Sequence, residues 1–236
     1  MNFIKQIILI VVIVLPSFMN GQNTYNQKKE YGYNGPVKKV TTYMVNVSAY
    51  RIPTDTLNYF GKSTMNFTKN GDVTTYNRFY SMPDYLYKSK AVFSGSGKNI
   101  SYKETSKVND AAEVNMSYKF VWIDPLKYEI KPLSEKDSTS RFITLNPDFT
   151  IYNVVFKALN FESEEKASYH YNNENQLEKI IYRVTSTEND VTTVKDDVRV
   201  IKSVDVFNNA TVIYFYEKEH SRFPKSVVFR YYEYYN

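Results

Sequence analysis

Between residues 114 and 122 every second side chain is large and apolar. Val114, Met116, Tyr118, Phe120 and Trp122 share one phase, and Asn115, Ser117 and Lys119 lie between them in the other. A period of two lets an extended chain bury one face and wet the other, so this stretch reads as an antiparallel strand with a single buried side. Asp124-Pro125 ends it, because proline has no N–H to give the ladder. Residues 198–206 read as a second strand. Met65-Asn66-Phe67 runs into Lys69-Asn70-Gly71-Asp72 and out through Val73 to Tyr80. Asn70-Gly71 is a strong hairpin signal, since both residues tolerate the positive φ of a tight turn.

Helical signals are weak: 106–114 and 156–166 each admit a short helical turn, and neither carries an extended apolar stripe. The polar stretch 134–140 reads as a loop rather than a hinge, because the strands on either side look alike. The expected fold is all-β. It is an antiparallel meander of consecutive hairpins, forming an open barrel or an extended curved sheet, in one domain over residues 36–236. The chain holds 23 Tyr and 15 Phe against one Trp. Tyrosine suits half-buried sheet surfaces, where the ring packs and the hydroxyl stays wet.

The first residues set a destination. Lys5 precedes an unbroken apolar run over 7–15, and Pro16-Ser17 closes it. That run is too short to span a bilayer, which takes about 20 apolar residues, and it has the form of a secretory signal peptide over 1–21. Residues 22–35 lack periodicity and are expected to form a flexible leader. The protein is therefore expected to be exported, to the periplasm, the extracellular space or the cell surface, with no integral membrane span once the signal is cut.

The formal net charge of +5 is mild, and no run of like charges suggests a nucleic-acid arm. There is no cysteine, which excludes disulfides, thiol catalysis and thiolate-bound metal. Sequons at Asn46, Asn66, Asn99, Asn115 and Asn209 follow from composition in a bacterial protein and would mark glycosylated loops in a eukaryotic one.

One turn pattern recurs. A large apolar residue is followed six positions later by another, with turn formers between: Phe67 to Val73, Leu145 to Ile151, Tyr171 to Leu177 and Phe207 to Ile213. Phe93 to Ile100 is a looser version with one more residue. A fixed apolar spacing across a short turn returns both strands to the same sheet face. This spacing resembles the YD repeat of RHS-type bacterial surface and toxin proteins. Gly71 holds the glycine position of that repeat, and Asn175 stands there in the Tyr171 copy; Phe149 and Thr211 depart from it. The resemblance covers scattered turns between 67 and 213. It implies a sheet scaffold without catalytic residues of its own.

Candidate chemistry is sparse. His170 lies on the opposite strand face from Tyr169 and Tyr171 and reads as solvated, and His220 lies in a polar turn beside Glu217 without a metal-ligand spacing. Ser94-Gly95-Ser96-Gly97-Lys98 lacks the first glycine and the final hydroxyl of a phosphate loop, so it reads as a hairpin turn. Glu164-Glu165 and Asp196-Asp197 are adjacent pairs, which a strand sends to opposite faces. Phe229, Tyr231 and Tyr235 are expected on one face of a last strand, with Tyr232 and Tyr234 on the other. They read as a cross-strand aromatic ladder in preference to a ligand platform.

The expectation is a non-enzymatic structural or binding module with no catalytic residue, metal or cofactor. Its binding residues are unassigned, and its partner is an unknown protein, glycan or lipid. The alternative is a carrier that holds a lipid or other hydrophobic ligand in a curved sheet.

Overall fold

A computed structural model describes residues 24–48, 50–134 and 138–236. The signal segment 1–21 lies outside these residues. One short helix, α1 (Gln27–Glu30), precedes fourteen strands. They are β1 (Val37–Asn46), β2 (Tyr59–Phe67), β3 (Val73–Met82), β4 (Tyr85–Ser96), β5 (Asn99–Val108), β6 (Val114–Asp124) and β7 (Lys127–Pro132). Then follow β8 (Ser140–Leu145), β9 (Ile151–Ala158), β10 (Phe161–Tyr171), β11 (Leu177–Glu188), β12 (Val191–Val204), β13 (Ala210–Tyr216) and β14 (Ser226–Tyr234).

Each strand pairs antiparallel with its sequence neighbours, and β14 pairs with β1, so the meander closes into a barrel. Closure goes one step past the open barrel or curved sheet that the alternation predicts, and it removes both exposed edges. The regions 106–114 and 156–166, where a helical turn is admissible, are strand ends and turns instead. Their polar residues are the tips of the β5–β6 and β9–β10 hairpins. Within the stretch 134–140, residues 135–137 lie outside the described residues, and Ser140 opens β8.

Alternation sorts the wall into two surfaces. In the β5–β6 pair, Tyr102 faces Tyr118 and Glu104 faces Met116 on the inside, while Lys103 faces Ser117 on the outside. Tyr102 stacks on both Phe93 and Tyr118, at 4.9 and 4.8 Å between centroids, and so extends the predicted aromatic phase of β6 around the inner wall. The last strand behaves as its pattern predicts: Tyr232 opposes the buried Val40 on the inner face, and Tyr231 opposes Thr41 on the outer.

Four turns on one end of the barrel share one geometry. Positive φ occurs at Gly71, Phe149, Asn175 and Asn208. In each turn the residue opening it donates its N–H across to the residue four positions on (Thr68 to Asp72, Asn146 to Thr150, Asn172 to Gln176, Asp205 to Asn209), at 2.8–3.0 Å. Three of these are the predicted copies, with Phe67 opposite Val73, Leu145 opposite Ile151 and Tyr171 opposite Leu177. The fourth sits three residues earlier than the spacing suggests, because Val204, not Phe207, opposes Ala210. The Asp205 carboxylate accepts the N–H groups of Phe207 and Asn209 and folds the chain there, which ends β12 at Val204.

That same end is plugged. Eight strands enclose a lumen that their own side chains fill; fourteen enclose more, and something must occupy it. Residues 24–35, which lack strand periodicity and read as a flexible leader, are a packed element. Asn26 caps α1 by accepting the Lys29 N–H, the Lys28 N–H bonds to the Gly71 carbonyl, and Gln27 accepts the N–H of Val73. Tyr33 joins Val37, Val40, Met65, Phe67 and Val73 in a buried cluster. Tyr25 meets Trp122 edge-on at 4.8 Å. Asn209, 1 % exposed, fastens the segment's end by exchanging two hydrogen bonds with the Asn34 backbone. At Gly35 (φ +71°) a Cβ would come within 2.7 Å of the Phe207 ring.

Candidate functional site

Beneath the plug lies a cavity of about 270 Å³. Tyr31, Gly32 and Tyr33 of the plug form one side, and the inner faces of β9–β14 form the other. Ile151, Val154, Leu177, Ile180, Ile201 and Ile213 give it an apolar surface. Into that surface project Arg199, Arg230 and Glu165, with Tyr169, Tyr182 and Tyr232 around them. These charged residues are on inward positions by register: Arg199 opposes Ile180 and Phe215, and Glu165 opposes Val154 and Val184.

The guanidinium of Arg199 stacks on Tyr182 at 3.7 Å and lies 4.9 Å from Phe215. That of Arg230 lies 5.6 Å from the Tyr33 ring, with Tyr232 as a side-chain partner. Neither has a carboxylate within ion-pair distance among the described residues. Among the described residues, four buried side-chain polar atoms lack a hydrogen-bond partner: Trp122 Nε1, Asn153 Oδ1, Arg199 Nε and Arg230 Nε. Two of the four belong to the arginines of this one cavity. Burial pushes the Glu165 carboxyl above its ordinary range, against the opposing pull of Arg199.

Across the plug the lumen is differently arranged. Arg78 donates from Nε to Ser89 at 3.0 Å and pairs with Glu104, which also accepts the Tyr87 hydroxyl. Glu30 of α1 accepts the Tyr25 hydroxyl at 2.6 Å and the Tyr128 hydroxyl at 2.7 Å, and burial raises its carboxyl above the usual carboxylate range. The buried arginine is thus satisfied on the β3–β8 side, where Trp122 Nε1 lacks a partner, while the β9–β14 side is roomier and both of its arginines keep an unpartnered Nε.

Of the residues weighed from sequence, Glu165 and Tyr232 line the cavity and the others lie elsewhere. His170 is exposed on the outer face, opposite Lys179. His220 is exposed, and its neighbours Glu217 and Glu219 pair with Lys225 and Lys179. No group of three potential metal ligands occurs among the described residues. The 94–98 segment is the β4–β5 hairpin, with Gly95 and Gly97 at positive φ and Lys98 over the Trp122 ring at 4.2 Å. Glu164 and Glu165 point to opposite faces: Glu164 pairs with Lys166 outside, and Glu165 enters the cavity. Asp197 pairs with Lys195.

Arg199 and Arg230 carry no sequence motif. Their one signal is phase, since Arg199 is two residues from Ile201, and Arg230 is two from both Val228 and Tyr232. A charge in phase with the buried side of a strand marks an inward position.

No helix among the described residues is long and apolar enough to cross a membrane. No protein-family model matches the chain, and no curated protein matches it. Among solved structures, a porin-like protein from Bacteroides uniformis is similar over 85 % of this chain and 99 % of its own, at 11 % identity and a TM-score of 0.31. A likeness this distant carries no argument about function.

Proposed function

We propose that the protein is an exported, non-enzymatic carrier that holds a small hydrophobic or amphipathic ligand inside its barrel. The observation that carries this reading is the apolar cavity of about 270 Å³ enclosed between the plug and the β9–β14 wall. Ligand sites are concave, mostly apolar and furnished with a few convergent polar groups, and run from about 300 Å³ upward; the cavity falls just below that range, which suits a small ligand. A packed structural scaffold has no use for such a space, which costs stability while it stays empty.

The outer wall supports a barrel that stands in water. A membrane-spanning barrel turns an apolar band about 25 Å tall outward and keeps its polar residues inward. Here Lys88, Lys90, Lys103, Lys107, Lys119 and Lys131 are exposed across four adjacent strands, β4–β7. Their inward neighbours are Ala91, Phe93, Tyr102, Tyr118 and Ile130. The hairpin likeness to YD repeats belongs, in this reading, to turn geometry and not to a shared role.

Native mass spectrometry of the protein purified from the periplasm of a Gram-negative host tests the proposal. A carrier arrives with extra mass that organic solvent removes. A bare polypeptide mass, together with no uptake of added amphiphile, returns the protein to the class of structural or binding modules. Hydrolytic turnover that survives repurification overturns the non-enzymatic part.

A further inference from the structure

We propose that the ligand of this cavity is an anionic amphiphile whose carboxylate sits between Arg199 and Arg230, with its apolar body against Ile180, Ile201 and Ile213. This rests on the reading of the cavity as a ligand site and adds the chemistry of what enters it.

One lumen holds arginines in two different settings. Arg78 has what a lumen arginine needs: its Nε donates to Ser89 and its terminal nitrogen meets Glu104. Arg199 and Arg230 have aromatic faces to stack on, but stacking uses the plane of a guanidinium and leaves its five in-plane donors to be satisfied. Their Nε atoms are sealed from solvent without a partner. An unpaired cation in an apolar cavity is costly unless an anion joins it.

Two acids line the space, Glu165 and Glu30; neither meets an arginine within ion-pair distance, and Glu30 is held by the Tyr25 and Tyr128 hydroxyls. Burial also biases both carboxyls toward the neutral form. The cavity therefore sets two cations beside two carboxyls that pair with neither of them. The planar fork of arginine matches a carboxylate with two parallel hydrogen bonds. Tyr182 and Tyr232 lie beside the two arginines, and Tyr182 feels the charge of both. The isoleucines supply a surface that a head group alone would not use.

Isothermal titration calorimetry at neutral pH, with decanoate and with decanol as probes, tests this on the whole protein. The two probes share a chain and differ in head charge. The expected result is decanoate binding at least tenfold tighter than decanol. Arg199→Gln and Arg230→Gln should each bring that ratio close to one, while Arg183→Gln, a change of equal charge on the outer face, should leave it intact. Equal binding of the two probes overturns the anionic head group and leaves the cavity reading standing. Binding of neither overturns both. A preference that persists in both cavity variants also overturns the proposal, since it places the anion elsewhere. Where a variant fails to fold, the ratio measured in the unaltered protein still decides.

Discussion

Glu30 is a carboxyl sealed inside the barrel, and its burial, against the opposing pull of two tyrosine hydroxyls, sets a sign for the protein's response to pH. Burial raises its carboxyl above the value it has in the unfolded chain. Between those two values the folded state holds a proton that the unfolded state has lost, so stability falls as pH rises through that window. Its contribution is complete below the unfolded pKa and lost above the folded one. Glu165 has the same sign, also through burial. The outer carboxylates Glu164, Glu217, Glu219 and Glu233 are lowered by hydrogen bonds to lysines and have the opposite sign.

The difference between the wild type and Glu30→Gln isolates the contribution of this carboxyl. The melting temperature of the wild type, followed by circular dichroism from pH 4 upward, should drop relative to that of the variant. Tyr128→Phe leaves one carboxylate oxygen without a donor and should cost about 1–3 kcal/mol in urea unfolding. Gly35→Ala meets both a positive φ and the Phe207 ring, and should cost about 1–3 kcal/mol. Gly32→Ala has open space around it and should cost less, by the same assay. At this scale little was legible in the sequence. Glu165 and Glu30 look like any solvated acid, because a letter carries charge and not depth.

Elements were legible wherever periodicity marks them. The inward phase of β6 follows directly from 114–122, and the hairpins at Gly71, Phe149 and Asn175 follow from apolar spacing across a turn. The Phe207 copy misplaced its turn by three residues, because Val206 and Phe207 continue an apolar run while the Asp205 side chain folds the backbone beneath them. The plug was illegible for a different reason. It is held by a helix cap, a glutamine on a backbone N–H and an asparagine clamp, none of which repeats along the chain.

The turn geometry makes a direct prediction. Asn175 sits at φ +60°, so Asn175→Gly should leave stability unchanged or slightly raised, while Asn175→Val should cost about 1–2 kcal/mol. Chemical denaturation of the two variants checks it. Equal losses from both would overturn the assignment to φ, since the side chain that accepts the Glu174 and Gln176 N–H groups is that of Asn172 and is unchanged in both variants.

Over the whole molecule, charge is divided unevenly around the barrel. The β9–β13 side ties its lysines to acids, as in Lys157–Glu162 and Lys166–Glu164. On the β4–β7 side Lys88 stands directly opposite Lys107, and Lys119 opposite Lys131. Like charges in opposed positions destabilise a sheet, so Lys107→Glu should add about 0.2–1 kcal/mol. The gain should shrink as salt rises, since the screening length falls from about 30 Å at 0.01 M to about 8 Å at 0.15 M. Thermal melts at the two ionic strengths measure both effects.

Closure has a consequence in time as well as in shape. Lys39 of the first strand meets Glu233 of the last, 194 positions away along the chain. Until β14 emerges and docks, β1 offers an open ladder to any passing strand, its own copies included. Contacts so distant in sequence form slowly. A chain that must wait for its final strand needs, in the interval, either a chaperone or a crowd that leaves it alone.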